Sequence, residues 1–474
     1  MAYPTILMDS TNGSDSNASG AGPTTAITST SASTSADGLT VTIPNADLTD
    51  VVTDGSHAVY ISGEGLRSIT GKADSGLSTA NVTVGTAFSF SLTGQTAAIG
   101  GVRQYLFGST KSEIESSLEA GWTVQFAAGH SESYNGSYFS FNVGDTRTNP
   151  ITLQGDENSR ATFISVYNGF VIHFSFASSS GLNVKNCNFE GYRGTDTSGP
   201  GDIRHVVYAG RQSVFVNCKT TSRRHYSGNA SWYDTAASTF VNCESIITSD
   251  SAYKYTVGGG AGWGGRGSSL INCKVYGRYY GVAQQSWEAV TPYIVGCHFD
   301  CYIGVRFGGT GIYHLGHTLS GNVFKIQDGG TGIDLSIDAW SYGLSGYKMI
   351  HSKNIFTSDG QYSGIVISKP QTTASNLYNN TWYIDNVFHN SAAPSSVVPE
   401  GQIINSIDDD PQLDGDLTDG FFSVGNRTVL DHVAIAPLVS PTFTSSSTAG
   451  TQIYPFRQFV SDKFGAVLHP LRSN

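Results

Sequence analysis

The chain has 474 residues, only 13% of them charged, and a formal charge of −11. Such an acidic balance lacks the basic surface that displaces counterions from nucleic acid, which excludes a general nucleic-acid binder. No apolar run reaches the roughly 18 residues that a membrane helix needs, so no membrane insertion is expected.

Composition favours β structure: 56 Gly, 24 Tyr and 24 Phe accompany abundant Ser and Thr. The opening, "MAYPTILMDSTNGSDSN", has no basic stretch followed by an apolar one, so no secretory signal peptide is expected. Residues 1–100 begin with the Ser/Thr/Ala/Gly-rich "STNGSDSNASGAGPTTAITSTSASTSADG", a composition that buries no core of its own. The β-like pieces "LTVTIPNA", "AVYISGEG" and "ANVTVGTAFSFSLTG" follow, which predict a small β-sandwich or hairpin module.

A short helix is predicted near 110–120. Thr110-x-x-Glu113 reads as a capping box, and Ile114 and Leu118 give one apolar face. Such a helix covers the end of a stack of strands, which otherwise invites edge pairing.

From there one phrase recurs, an apolar pair, then Asn or Gly, then Cys. It marks Cys187, Cys218, Cys243, Cys273 and Cys297 at steps of 31, 25, 30 and 24 residues. Asn322, Asn354 and Asn386 continue the series in "SGNVFKI", "HSKNIFT" and "YIDNVFH". Phe189, Phe299, Phe324, Phe356 and Phe388 stand two places after their marks. One strand phrase every 24 to 32 residues, with no helical period and no Leu ladder, predicts a parallel β-helix over residues 101–400, with eight or more coils. Equivalent residues then stack about 4.8 Å apart. Small Cys and Asn pack inward at a tight bend, and Asn side chains bond to their copies in the next coil. The cysteines are expected to form a reduced, buried ladder, not disulfides. Residues 401–474 form a C-terminal cap or tail, ending in the aromatic and basic "TQIYPFRQFVSDKFGAVLHPLRSN".

The helix, then "GWTVQFAAGHSESYNGSYFSF" and "NPITLQGDENSRATF", resembles the N-terminal start of the pectate-lyase-like β-helix superfamily, which includes polysaccharide lyases and phage tailspikes. "DDDPQLDGDLTDGFFSV" resembles the segment that leaves such helices. The resemblance covers about residues 105–425 and implies a right-handed β-helix whose outer faces handle polysaccharide.

Counting from the register marks places Arg193, Arg223, Arg224 and Arg278 in one stripe, able to grip carboxylate or sulfate in two places. Trp232 and Trp287, each fourteen residues past a mark, with Tyr233, Tyr279 and His225 nearby, are the candidate stacking platforms for sugar rings. Against this stand ordinary surface ion pairs for the arginines and core or subunit packing for the tryptophans. A lyase would need a base, for which Lys254 is the candidate, and Ca²⁺ held by carboxylates. Glu244 and Asp250 are the only carboxylates near it in register, so no catalytic set can be assigned, and outside a lyase no cofactor or metal is expected.

The reading that absorbs most of this is a bacteriophage virion surface protein: a capsid decoration, head fibre or tailspike. Its N-terminal module would contact other virion proteins, and its β-helix would associate as a homotrimer and meet host surface polysaccharide. The alternatives are a polysaccharide lyase acting on an acidic glycan and a bacterial surface adhesin.

Overall fold

A computed structural model describes residues 5–14, 27–74, 79–109, 111–134, 139–143, 146, 148–165, 170–174, 181–191, 205–222, 230–234, 238–247, 255–258, 268–277, 280–284, 293–307, 318–334, 349–358, 381–390, 403–417 and 420–433. The recurring phrase is a strand followed by a corner. The residue before each mark takes a left-handed backbone: Asn186, Asn217, Asn242 and Asn272 have φ of 51° to 53°, and Gly296 and Gly321 have 63°. Asn and Gly are the residues that enter this region at least cost, which explains the third letter of the phrase. Lys353 (φ 56°) and Asp385 (φ 54°) occupy the same corner further on.

Backbone hydrogen bonds pass through the corners without a break. Asn186 donates to the Val216 carbonyl at 3.0 Å, Asn217 to Val241 at 2.9 Å and Asn242 to Ile271 at 3.0 Å. The corner side chains join as well: Asn217 Nδ2 donates to Asn186 Oδ1 at 2.7 Å, and Asn272 Nδ2 to Asn242 Oδ1 at 2.7 Å.

These corners separate parallel sheets that climb the chain coil by coil. Sheet I comprises Thr123–Phe126, Thr152–Gln154, Asn183–Lys185, Val214–Val216, Thr239–Val241, Ser269–Ile271, Tyr293–Val295, Thr318–Ser320, Met349–Ser352, Thr381–Ile384 and Ile403–Ile404. Sheet II starts just past each mark. Its register runs Lys219↔Glu244↔Lys274↔His298↔Val323↔Ile355↔Val387, so every predicted step from Cys218 to Asn386 is in register. Sheet III begins at Phe139–Phe141 and continues through His205–Ala209, Ala230–Asp234 and Tyr280–Gln284. These parallel sheets form a solenoid, from Thr123 to Ile404 along sheet I.

The core repeats with the coils. Cys187, Cys218, Cys243, Cys273, Cys297 and Cys301 are free and buried. Each thiol from Cys218 to Cys297 donates to the carbonyl two residues back, at 3.4 Å. Two residues past the marks, Phe299, Phe324 and Phe356 stack with centroids 4.6 and 4.7 Å apart. Gly304 faces this column. A Cβ there would meet Phe324 Cδ1 at 2.6 Å and the Gly332 carbonyl oxygen at 2.5 Å, so the aromatic ladder requires glycine opposite it.

The N-terminal module is a closed barrel, not the sandwich or hairpin expected. Its strands are β2 (Ile27–Thr34), β3 (Thr40–Pro44), β4 (His57–Ile61), β5 (Gly65–Asp74), β6 (Thr79–Val84) and β7 (Gln95–Arg103). They close antiparallel in the order β2-β3-β6-β5-β4-β7 and back to β2. Val41, Val59, Ile61, Ile69, Val82 and Ile99 fill it. Closure removes the free edges that so short a module would otherwise expose.

β1 (Thr5–Met8) ties barrel to solenoid. It pairs in parallel with the end of β7 and also with β8 (Thr123–Phe126), the first strand of sheet I. Helix α1 (Lys111–Ser117) closes the first coil with Ile114 and Leu118, as predicted. Its Glu113 carboxylate accepts from buried Arg103 at 2.8 Å. Glu132 accepts from the backbone N–H groups of Leu106 and Phe107, at 2.8 and 3.0 Å, and lies 2.9 Å from His130. Glu132 is thus fully engaged by donors at the joint, whereas Arg103 is paired through Nη2 and its buried Nε and Nη1 find no partner among the described residues.

The far end turns back. A hairpin, Leu413–Asp414 with Ser423–Val424, leads to helix α2 (Arg427–Val433). Leu417, Phe422, Val429 and Val433 pack on Val323, Ile355 and Val387, which point outward from sheet II. The segment that resembled an exit from the helix is a strap across its outer face.

Candidate functional site

Strand alternation sends the residue directly after each mark out of sheet II. In the middle coils these are Lys219, Glu244, Lys274 and His298, stacked in register on successive coils. Glu244 sits among cations: Arg160 Nη2 is 3.1 Å from its Oε1, Lys274 Nζ 3.3 Å from its Oε2 and Lys219 Nζ 3.8 Å from its Oε2. Arg160 also donates to Asn217 Oδ1 at 2.6 Å, so it spans two coils and is fixed at both contacts. Burial pushes the Glu244 carboxyl up, but Lys274, Arg160 and Lys219 together outweigh it and hold the group below its ordinary range.

The result is a half-buried ridge with three cations to one carboxylate, in a chain that carries −11 overall. Side-chain exposures of 30% for Lys219 and 21% for Arg160 leave their cationic ends within reach of solvent. Among the described residues Glu244 is the one carboxylate paired with these three cations, which leaves the ridge with a local excess of positive charge.

The strap borders the ridge. The Phe422 backbone N–H donates to His298 Nδ1 at 3.1 Å, and burial lowers the His298 pKa to about 4, so the ring is a neutral acceptor. Phe421 stands edge-to-face on His298, centroids 4.9 Å apart at 85°, with Lys274 Nζ 5.5 Å from its ring centre. On the next row, Lys325 lies 4.0 Å from Asp300 and 5.8 Å from the Phe422 ring centre.

The candidates read from sequence are placed differently. Trp232 is no sugar platform. It is 1% exposed and packs in the core against Phe215 and Phe240, with centroids at 5.2 and 5.1 Å. The cause is alternation along Ala230–Asp234, which points Trp232 inward in register with Val207 and Val257. Tyr233 is 5% exposed and stacked on Tyr208 at 4.9 Å, which removes its faces from solvent too. Arg193, Arg223, Arg224, His225, Lys254, Arg278, Tyr279 and Trp287 lie outside the described residues. Among the described residues, no group of three His, Cys, Asp or Glu is gathered in metal-binding geometry. The ridge had a sequence signal, the residue one place past each mark. Arg160 and Phe421 had none, since both arrive from outside the repeat phrase.

No protein-family model matches the chain, and no curated protein matches it. Among solved structures it is similar to the Gp54 tailspike of Acinetobacter baumannii bacteriophage AP22, in complex with A. baumannii capsular saccharide. That likeness has 9% identity and a TM-score of 0.27, covering 80% of this chain and 72% of that one. The catalytic domain of a GH87 α-1,3-glucanase in complex with nigerose is similar at 11% identity and a TM-score of 0.27, covering 82% and 90%. The tailspike gp49 of Pseudomonas phage LKA1 is similar at 13% identity and a TM-score of 0.18, covering 81% and 66%. Scores this low leave the fold to rest on strand pairing and the site on its own side chains.

Proposed function

We propose that the protein is a bacteriophage virion surface protein that displays a glycan-binding β-solenoid, with the Arg160–Lys219–Lys274 ridge as its contact for an acidic host polysaccharide. The ridge carries this reading: three cations converge on one carboxylate on a regular outer face of an otherwise acidic protein. A repeating acidic polysaccharide suits a ridge built on a repeating scaffold, because both present equivalent groups at fixed intervals. Six free cysteines accord with assembly in a reducing cytoplasm. The barrel, joined to the solenoid through β1, is the part proposed to contact other virion proteins, and self-association as a homotrimer belongs to the same proposal.

The test is binding of acidic and neutral polysaccharides at two salt concentrations by wild type and by Lys219→Gln with Lys274→Gln. Surface charge contacts are worth up to about 1 kcal/mol each, so the double variant should weaken acidic binding about 10-fold or more. It should also flatten the salt dependence. Equal binding by wild type and variant would remove the ridge from the proposal.

A further inference from the structure

We propose that Phe421, delivered by the C-terminal strap, is a stacking platform of the ridge, so that the glycan site is completed by a residue 147 positions downstream of Lys274. The inference rests on the ridge being the glycan contact and names a second recognition element within it. Three observations lead there. Phe421 is 42% exposed, while its neighbour Phe422 and the strap's other large apolar groups, Leu417 and Val429, are buried in sheet II. The strap therefore has its anchor without Phe421, and this ring is held in place yet keeps much of its surface open to solvent.

The ring is also positioned from both sides. His298 meets it edge-on, and the strap backbone on which it sits is clasped through the Phe422 N–H on His298 Nδ1. A ring fixed in this way binds without the entropic cost of ordering a free side chain.

Finally, Lys274 belongs to both groups. Its Nζ is 3.3 Å from Glu244 Oε2 and 5.5 Å from the Phe421 ring centre, so ring and ridge are contiguous. An exposed aromatic face beside partly neutralised cations matches a pyranose that carries a carboxylate or sulfate. The ring takes the C–H face of the sugar and the cations take its anionic substituent. A bare inorganic anion has no use for the ring, and a neutral glycan has no use for the cations. Stacked nucleotides would use both as well, so single-stranded oligo-dT stands in the test as the competing polyanion.

The test uses the full chain and an array of uronate-, sialate- and sulfate-bearing oligosaccharides, with neutral oligosaccharides and single-stranded oligo-dT as controls. Phe421→Ala and Phe421→Leu should each weaken binding to the acidic member that wild type retains by about 10-fold, while Phe421→Trp keeps it. Leu preserves apolar bulk without a π face, so loss in Leu separates stacking from support of the strap. Unchanged exchange protection of the Phe422 amide checks that the strap is still docked. If Lys219→Gln with Lys274→Gln abolishes binding but Phe421→Ala and Phe421→Leu bind as wild type does, this inference fails and the ridge stands. If wild type binds no acidic member, the ridge reading fails first. Preferential binding of oligo-dT would overturn the sugar assignment.

Discussion

Replacing Asn354 by Ala tests the solenoid in the middle of the Asn part of its column of marks. The Asn354 side chain makes four hydrogen bonds. Its Oδ1 accepts from the Asn322 N–H at 3.1 Å and from Asn322 Nδ2 at 2.9 Å. Its Nδ2 donates to the Leu319 carbonyl at 3.1 Å and to Asn386 Oδ1 at 3.0 Å. All three asparagines are 0% exposed. After truncation Asn386 Oδ1 keeps the Asn354 N–H at 2.9 Å and Asn322 Nδ2 keeps the Ile294 carbonyl. The Asn322 N–H and the second Nδ2 hydrogen lose these partners, and the Leu319 carbonyl loses one donor. Stranded buried groups cost about 1–3 kcal/mol each, so the expected loss is about 3–5 kcal/mol. Cys297→Ala is the control on the same column. It removes a thiol bond to the Val295 carbonyl and a contact from the Cys273 N–H, each at 3.4 Å, and should cost about 1–2 kcal/mol. Urea unfolding of the three proteins gives the comparison. An Asn354→Ala loss no larger than that of Cys297→Ala would refute the view that amide ladders, more than thiols, hold the later coils.

Three further outcomes follow from the same geometry. The six thiols should be silent to a thiol reagent in the native protein and all react in denaturant, since all are buried and burial pushes thiols such as Cys187 and Cys301 up. Any rapid native reaction would contradict the ladder. Lys353→Asn places at a left-handed corner the residue that four other corners use, and should raise stability by about 0.5–1 kcal/mol in the same urea assay. The His298 clasp sets a pH window. Its folded pKa of about 4 lies below the ordinary 6.5, so the folded protein binds fewer protons than the unfolded one between these values. Stability from the clasp is then complete above about pH 6.5 and lost as pH falls toward 4. His351, lowered to about 3 by burial, adds to the loss in the same direction. Exchange protection of the Phe422 amide, corrected for intrinsic rate, should fall across that window, and constant protection would be incompatible with a neutral acceptor.

The solenoid was legible because its constraints are local and repeat. A corner needing a left-handed residue writes Asn or Gly into the sequence every 24 to 32 residues, and the small inward group beside it writes Cys or Asn. The barrel was legible only as β structure, because closure depends on which of six short strands meet, and β2 with β7 meet across more than sixty residues. The site was the least legible part. Counting five or fourteen residues past a mark runs beyond sheet II, and the number of residues before the next strand varies, from thirteen after Gly191 to seven after Ser222. Trp232 therefore reached the core, although an alternation count restarted at its own strand would have placed it. One residue past the mark no loop intervenes, and Lys219, Glu244, Lys274 and His298 fall in line. The strap is invisible to any repeat analysis, since its partners Val323, Ile355 and Val387 look like ordinary strand residues until something covers them.

The double pairing of β1 also has a mechanical meaning. Thr5–Met8 makes four register pairs with β8, while Leu7 and Met8 also pair with Val102 and Arg103 of β7. A linker between two bodies lets one swivel when the other is pushed. A strand shared by both sheets converts the same push into tension and shear across its hydrogen bonds. With eleven strands of sheet I stacked at about 4.8 Å, the lever beyond that strand is about 50 Å long. A sideways force at the far coils is therefore felt at the barrel as torque.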